Sequence, residues 1–170
     1  YAAVAFQQAL VGRSFFKVGF LNRQGSKTDY NRNLTGEFSF TSKNNQWDAW
    51  ALMHHAILPN VTSQNNFFET GFWFHNERWQ VLNYADFIGT NYATGMEFFS
   101  RIENYDALRD TTIRIGYKQN ATLFGYKYIP KSSSRLGQSD LQVFSQFVWN
   151  PDNSFNNRYL QIKNTFMFKN

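Results

Sequence analysis

Apolar and polar residues alternate with a period of two along most of the chain, and a helical period is nearly absent. Residues 32–42 show the pattern clearly, since Leu34, Gly36, Phe38 and Phe40 alternate with Asn, Thr, Glu and Ser. A strand of this kind is apolar on one face and polar on the other. The pattern therefore predicts an all-β antiparallel fold whose strands separate two environments.

The predicted strands are long. They lie at about residues 2–11, 14–23, 32–42, 46–57, 66–76, 79–88, 108–118, 122–129, 139–149 and 157–168. Soluble sheets usually use strands of about five or six residues, whereas a tilted transmembrane β-strand needs about 9–11. Length and period together predict an antiparallel up-and-down transmembrane β-barrel. Residues 1–170 would form about ten of its strands, as one barrel domain or as a fragment of a larger barrel.

The connections between these strands differ in length. Short ones are predicted at 12–13, 43–45, 76–77 and 130–134, and longer ones at 24–31, 58–65 and 89–107. Through the first six strands the short and long connections alternate. Outer-membrane barrels have short periplasmic turns and longer extracellular loops, so we expect the three longer connections to face the outside of the cell.

Whether a residue stands at an odd or an even position of a strand, which we call its parity, decides which face its side chain is on. In the stretch "ETGFWFHNERWQVLNYADF", Phe72 and Phe74 share one face, while Trp73 and His75 share the other. We expect the two phenylalanines to face lipid and the other two residues to face the lumen or its rim. The same alternation is also typical of a soluble sandwich with its apolar face in a core, so parity leaves both environments open.

Aromatic residues make up 19% of the chain although the mean hydropathy is −0.52. Many of them fall near predicted strand ends: Trp47, Trp50, Trp73, Trp79, Tyr84, Tyr126, Tyr128 and Trp149. Membrane barrels carry aromatic girdles at both interfaces, and this is the interpretation we favour. Ordinary packing between strands is the alternative, because aromatic residues favour sheets in general.

Charge and cysteine content narrow the function classes. The net charge is +5, but the basic residues are scattered, and no basic run predicts a nucleic-acid partner. The chain has no cysteine, which excludes disulfides and thiolate metal sites. The adjacent His54 and His55 should point to opposite faces of a strand and therefore not share a metal. We predict no metal and no cofactor.

Charged residues at polar-face positions are candidates for the lining of a lumen: Glu37, Asp48, Glu69, Arg114 and Lys163. Isolated charges of both signs are expected on the solvated interior of a barrel. Two such carboxylates at a suitable separation could also hydrolyse a glycoside. We assign no catalytic residue, and a membrane-embedded hydrolase remains one hypothesis.

The long 89–107 segment is the strongest candidate for ligand contact, because long loops carry function more often than scaffolds do. Its candidate contact residues are Tyr92, Phe98, Phe99, Arg101 and Tyr105. Aromatic rings beside polar groups suit a sugar or a peptide. A segment that folds over the lumen and plugs it is the equally weighted alternative.

Four short stretches resemble a family of Bacteroidota outer-membrane proteins. They are "RSFFKVGFLNRQ" (13–24), "NRNLTGEFSFTSKNNQW" (31–47), "GMEFFSRIENY" (95–105, with Ser100 in place of the family's proline) and "GYKYIPKSSS" (125–134). The resemblance implies a C-terminal barrel region that in members usually follows a carbohydrate-binding-like domain. It implies no catalytic residues.

Three functional hypotheses follow. The first is a pore, transporter or surface scaffold in the bacterial outer membrane, linked to glycan uptake. Its partners would be the lipid bilayer, other outer-membrane proteins or lipoproteins, and glycan. The second is a soluble β-sandwich or calyx that binds glycan or an apolar ligand, and the third is the hydrolase. Both ends of the chain have the sequence pattern of the interior of a strand, so we expect the chain to belong to a larger protein.

Overall fold

The structure, a computed structural model, describes residues 1–94, 103–131 and 134–169, without the side chain of Asn104. Eleven strands make up its regular structure: β1 Ala2–Ala9, β2 Phe15–Gln24, β3 Tyr30–Thr41, β4 Trp47–Ile57, β5 Asn66–His75, β6 Trp79–Ile88, β7 Glu103–Asp106, β8 Thr111–Arg114, β9 Tyr117–Tyr128, β10 Leu136–Trp149 and β11 Phe155–Phe168. No helix occurs in the described residues. The predicted all-β antiparallel class is confirmed.

Nine of the strands form one sheet in the order β1-β2-β3-β4-β5-β6-β9-β10-β11, and every neighbouring pair is antiparallel. Strands β7 and β8 form a separate two-stranded ribbon, which follows β6 and precedes β9 in the chain. The topology is therefore up-and-down. In the part of the chain described here the sheet is open, with β1 and β11 as its two edges, and barrel closure is not observed.

The register of the ladders gives the sheet a polar face and an apolar face. Glu37, Leu52, Glu69, Asp86 and Gln119 are successive register partners across β3, β4, β5, β6 and β9. We call the face that carries this row the polar face. Parity predicts both faces correctly in β3 and β5, because side chains that are two residues apart stay on one side of a sheet.

The opposite face is apolar and exposed. Leu34, Phe38 and Phe40 of β3 retain 49%, 41% and 42% of their accessible surface. Phe68 and Phe72 of β5 are exposed in the same way. Nothing in the described chain covers this face.

The predicted strand 108–118 is wrong. Residues 107–110 form a turn, and β8 ends at Arg114. Strand β9 begins at Tyr117 and contains the predicted strand 122–129 except for its last residue. Gly116 explains the break, since a Cβ there would lie 2.7 Å from the backbone nitrogen of Thr90. Only glycine lets the two backbones approach so closely.

This break also changes the side on which residues lie. Alternation through 108–118 predicts Ile115 and Tyr117 on the apolar face and Lys118 on the polar face. In the structure Tyr117 pairs with Ile88 on the polar face, Lys118 pairs with Phe87 on the apolar face, and Ile115 falls in the link between β8 and β9. The predicted girdle is wrong for Trp50, Trp73 and Tyr84, which the register places on the polar face.

The connections group at two ends of the sheet. One end, which we call the short-turn end, has residues 10–14, 42–46, 76–78, 129–131 and 134–135. The other, the loop end, has residues 25–29, 58–65, 89–94, 103–116 and 150–154. The predicted longer connections thus share one end. Gly12, Asn45 and Asn153 have positive φ values, which suits residue types that tolerate the left-handed region in tight turns.

A small buried cluster lies on the polar face near the loop end. It contains Ala56, Phe67, Ile88 and Tyr92, with Leu52, Leu58 and Tyr117 packed against it. Tyr92 is fully buried although it belongs to the connection after β6. Its hydroxyl lies 2.7 Å from Nδ1 of His54, and its ring lies 5.8 Å from that of Phe67.

Tyr92 should contribute more to stability by packing than by its hydroxyl group. We expect Tyr92→Ala to lower the free energy of unfolding by about 3–5 kcal/mol, since it leaves a cavity. Tyr92→Phe should cost about 1 kcal/mol through the lost hydrogen bond. Chemical unfolding followed by tryptophan fluorescence measures both. Equal losses for the two variants would contradict a packing role.

Candidate functional site

A hollow of ≈ 450 Å³ lies on the polar face at the middle of the sheet. Its lining residues come from β4, β5, β6 and β9, and each has polar-face parity. They are Trp50, Glu69, Leu82, Tyr84, Asp86 and Gln119. Alternation along β6 supplies three of them at every second position, because these side chains leave the same face of the strand.

The indole of Trp50 lies across the backbone of β5. Trp50 and Gly71 are register partners, and a Cβ on Gly71 would collide with Cζ2 of the indole. The ring nitrogen Nε1 donates a hydrogen bond of 2.6 Å to Oε1 of Glu69. Gly71 therefore makes room for the ring, and Glu69 fixes its orientation.

Two carboxylates stand side by side in the hollow. Glu69 and Asp86 are direct register partners on β5 and β6. Oδ2 of Asp86 accepts a hydrogen bond of 2.8 Å from Nε2 of Gln119, whose Oε1 accepts one of 2.8 Å from Gln146. Like charges on directly opposed residues destabilise a sheet. The lining that the structure describes thus carries two acidic side chains and no Lys, Arg or His.

Four of the five predicted lumen residues share the polar face. Glu37 and Asp48 are each paired with a base, since Nζ of Lys17 lies 3.4 Å from Oε2 of Glu37 and Nε2 of His75 lies 3.5 Å from Oδ2 of Asp48. Glu69 lines the hollow. Lys163 lies on β11 opposite Gln142, away from the others.

Arg114, the fifth, lies in β8, outside the nine-stranded sheet. Its guanidinium donates hydrogen bonds to the carbonyl oxygens of Thr90 at 3.2 Å and of Tyr92 at 2.6 Å. It also forms an ion pair with Glu103. Arg114 thus fastens residues 90–92 to the β7–β8 ribbon instead of lining the polar face.

The predicted contact residues of segment 89–107 separate into three groups. Tyr92 is buried, so its ring does not reach solvent in this conformation. Tyr105 is 67% exposed and donates a hydrogen bond of 2.7 Å to Oδ1 of Asp110. This bond, with a smaller desolvation contribution, raises the pKa of Tyr105 above its ordinary value. Phe98, Phe99 and Arg101 lie outside the described residues.

Residues 89–94 fold over the loop end of the polar face. Nδ2 of Asn31 donates to the carbonyl oxygen of Ala93 at 3.1 Å, and Nδ2 of Asn33 donates to that of Thr94 at 3.4 Å. The segment thus leaves β6 and reaches β3. Residues 89–94 therefore cover the loop end of the polar face, and whether the whole segment contacts a ligand or plugs a lumen stays a prediction.

The histidine pair is divided between the faces, as parity predicts. His54 contacts Tyr92 on the polar face, and Nδ1 of His55 lies 2.7 Å from Oδ1 of Asn66 on the apolar face. Within residues 1–94, 103–131 and 134–169 no group of three or more His, Asp or Glu residues could hold a metal ion.

Sequence reasoning singled out only Glu69 among the six residues that line the hollow. It missed the other five as site residues: Trp50, Leu82, Tyr84, Asp86 and Gln119. Parity places Tyr84 and Asp86 on one face of β6. The register that sets them beside Trp50 and Glu69 depends on pairing between strands, which the alternation leaves open.

Comparison with protein-family models, curated proteins and solved structures finds no match for this chain. The resemblance to the Bacteroidota family therefore stays a prediction.

We expect the contacts of Arg114 to hold residues 90–92 in place. Arg114→Lys should release at least one of its two carbonyl contacts, because an ammonium lacks the planar fork of the guanidinium. Backbone hydrogen exchange at residues 89–94 should then accelerate while exchange in β3 and β4 stays slow. Unchanged exchange at Tyr92 would show that the aromatic cluster alone holds the segment.

Proposed function

We propose that the chain forms the wall of an outer-membrane β-barrel that acts as a pore, transporter or surface scaffold at the bacterial cell surface. This proposal rests on the difference in polarity between the two faces of the nine-stranded sheet. In a soluble sandwich the apolar faces of two sheets meet in a core. Here the apolar face, with Leu34, Phe38, Phe40 and Phe72, is exposed instead. A continuous apolar surface of this kind needs a cover, and lipid supplies one for every strand at once.

Strand length supports the same conclusion. From Trp47 to Ile57, β4 has ten residue steps, or about 34 Å at about 3.4 Å per residue. A tilt of about 40° reduces this to about 26 Å, close to the apolar band of about 25 Å on membrane barrels. Among the described residues there is no helix that is long and apolar enough to cross a membrane.

Aromatic rings at the short-turn end of the apolar face give further support. Trp47 lies 4.6 Å from Phe74, and Trp79 lies 4.4 Å from Tyr126, measured between ring centroids. Such a band at one edge of an apolar face suits an interfacial girdle. At the loop end, Lys118 and Trp149 are register partners, which suits the opposite interface.

The proposal requires a partner for each edge strand. Unpaired backbone groups are not tolerated in lipid, so β1 and β11 must pair with each other or with further strands. The bilayer would be the main partner, and other outer-membrane proteins or lipoproteins and glycan would be further ones.

The two other hypotheses have less support. A soluble calyx would bury its apolar faces, whereas the buried cluster here belongs to one end of the polar face. For a hydrolase, Glu37 and Asp48 are already paired with Lys17 and His75. Glu69 and Asp86 are neighbouring carboxylates, but each accepts a hydrogen bond, from Trp50 and Gln119 respectively.

Fractionation of cells that produce the native protein tests the location. We expect it in the outer membrane, with a gel mobility that changes on boiling because a folded barrel resists detergent. Recovery in the soluble fraction without detergent would contradict the proposal and favour the calyx.

The two faces should respond oppositely to charge. Phe38→Arg on the apolar face should cost roughly 2–4 kcal/mol if the residue lies near the bilayer midplane. Ser39→Arg, one residue along and on the polar face, should cost far less. Unfolding in urea from lipid vesicles measures both, and equal costs would mean that lipid does not cover the apolar face.

A further inference from the structure

We propose that a patch at the loop end of the apolar face binds the anionic phosphate headgroup of a membrane lipid. The patch consists of Lys118, Phe147, Trp149 and Arg158, and we call it the basic-aromatic patch. The inference rests on the membrane location proposed above and adds a ligand to it. Under that proposal the loop end faces outward, so the lipid belongs to the outward-facing leaflet.

Charges are distributed unequally between the two faces of the sheet. Of the Asp, Glu, Lys and Arg residues in the described nine-stranded sheet, the register places three on the apolar face: Arg32, Lys118 and Arg158. All three are basic, and each lies within the first four residues of a strand that begins at the loop end. The carboxylates of these strands are on the polar face. A bilayer on the apolar face would therefore meet only positive charge, at one of its two interfaces.

Two of the three basic residues flank one aromatic pair on β10. Lys118 is the register partner of Trp149, and Arg158 is the register partner of Phe147. The rings of Phe147 and Trp149 are stacked, with centroids 6.1 Å apart and planes inclined by 24°. Trp residues favour the headgroup level of a bilayer. The pair thus sets the depth at which the two charges lie.

Lysine and arginine suit a lipid phosphate at this depth. Their long apolar stems lie along the apolar surface while the charged groups reach toward water. An ammonium and a guanidinium form charge-assisted hydrogen bonds to phosphate oxygens, and the guanidinium does so through two parallel bonds. Lys118 and Arg158 stand on β9 and β11, two strand spacings or about 10 Å apart. One headgroup over the aromatic pair therefore lies between both cations.

A second hollow, beside Lys118, offers space for the apolar part of the lipid. It has a volume of ≈ 460 Å³, and its lining includes Phe68, Phe87 and Lys118, which are successive register partners on the apolar face. Asp86 and Gln119 also border it, but they have polar-face parity and are hydrogen-bonded to each other at 2.8 Å. An acyl chain can pack against the two phenyl rings while its phosphate stays beside the ammonium group.

One carboxylate near the patch moderates its charge. Asp152, in the connection 150–154, accepts a hydrogen bond of 2.6 Å from the hydroxyl of Ser154 and one of 2.8 Å from its backbone nitrogen. These bonds, with a smaller contribution from the charge of Lys118, hold the pKa of Asp152 below its ordinary value. The ionised carboxylate attracts Lys118 and so competes with a lipid phosphate for it.

Native mass spectrometry of the full-length protein, released from detergent micelles with one lipid at a time, tests the site. The probes are phosphatidic acid, phosphatidylcholine, whose phosphate is neutralised by a trimethylammonium group, and oleate, an anion without phosphate. We expect phosphatidic acid to bind about fivefold or more tightly than the other two, since each basic residue near a membrane surface contributes about 1 kcal/mol toward anionic lipid.

Charge removal on the two faces gives a matched comparison. Lys118→Gln together with Arg158→Gln should lower the affinity for phosphatidic acid at least about tenfold, because both cations are lost. Lys127→Gln together with Lys163→Gln changes the net charge equally and on the same two strands, but on the polar face. This control should leave the affinity unchanged.

Asp152→Asn tests the site in the opposite direction and removes no group from the patch. It should raise the affinity for phosphatidic acid at least about twofold, because Lys118 loses a competing anion. Glu77→Gln, at the short-turn end, changes the net charge equally and should have no effect. This pair keeps the test available if the variant without Lys118 and Arg158 does not fold.

Three outcomes would overturn the proposal. They are equal binding of phosphatidic acid and either other probe, equal loss in the two double variants, or displacement of the lipid by millimolar inorganic phosphate, which would indicate a site for free phosphate. Fractionation separates this result from the membrane proposal. An outer-membrane protein without lipid preference contradicts only the lipid site, whereas recovery in the soluble fraction contradicts the membrane location on which the site depends.

Discussion

The backbone ladder that pairs nine antiparallel strands in a fixed register is the constraint on which the other features of this molecule depend. Because side chains alternate across a sheet, a slip of one residue in any pair would move that strand's polar residues to the apolar face. The observed register carries Glu37, Glu69, Asp86 and Gln119 along one row. It thereby produces an exposed apolar surface on one side and a hollow lined by two carboxylates on the other.

The same register explains how the hollow acquires its shape. Trp50 has space for its indole only because Gly71 is its partner on β5. The bond to Glu69 then links the ring to the carboxylate that stands opposite Asp86. A slip in the pairing of β4 with β5 would place a side chain under the indole. The register of the sheet and the shape of the hollow are therefore set by the same pairing.

The segment that follows β6 depends on a second kind of interaction. Tyr92 is buried among Ala56, Phe67 and Ile88, and Arg114 binds the carbonyl oxygens of Thr90 and Tyr92. These contacts hold residues 89–94 over the loop end of the polar face. The described residues that line the hollow belong to the strands β4, β5, β6 and β9 instead.

Local alternation was enough to predict the all-β class, most strand positions and the two faces of β3 and β5, because the period of two is a property of each strand taken alone. It failed at 108–118, where the alternation continues but Gly116 packs against the backbone of Thr90 and breaks the strand. It could not bring Trp50, Gly71 and Asp86 together, nor bury Tyr92. Those placements depend on which residue of one strand faces which residue of the next, and on contacts between segments far apart in the chain. Only the folded sheet fixes them, since pairing energy is shared between strands and no single stretch encodes it.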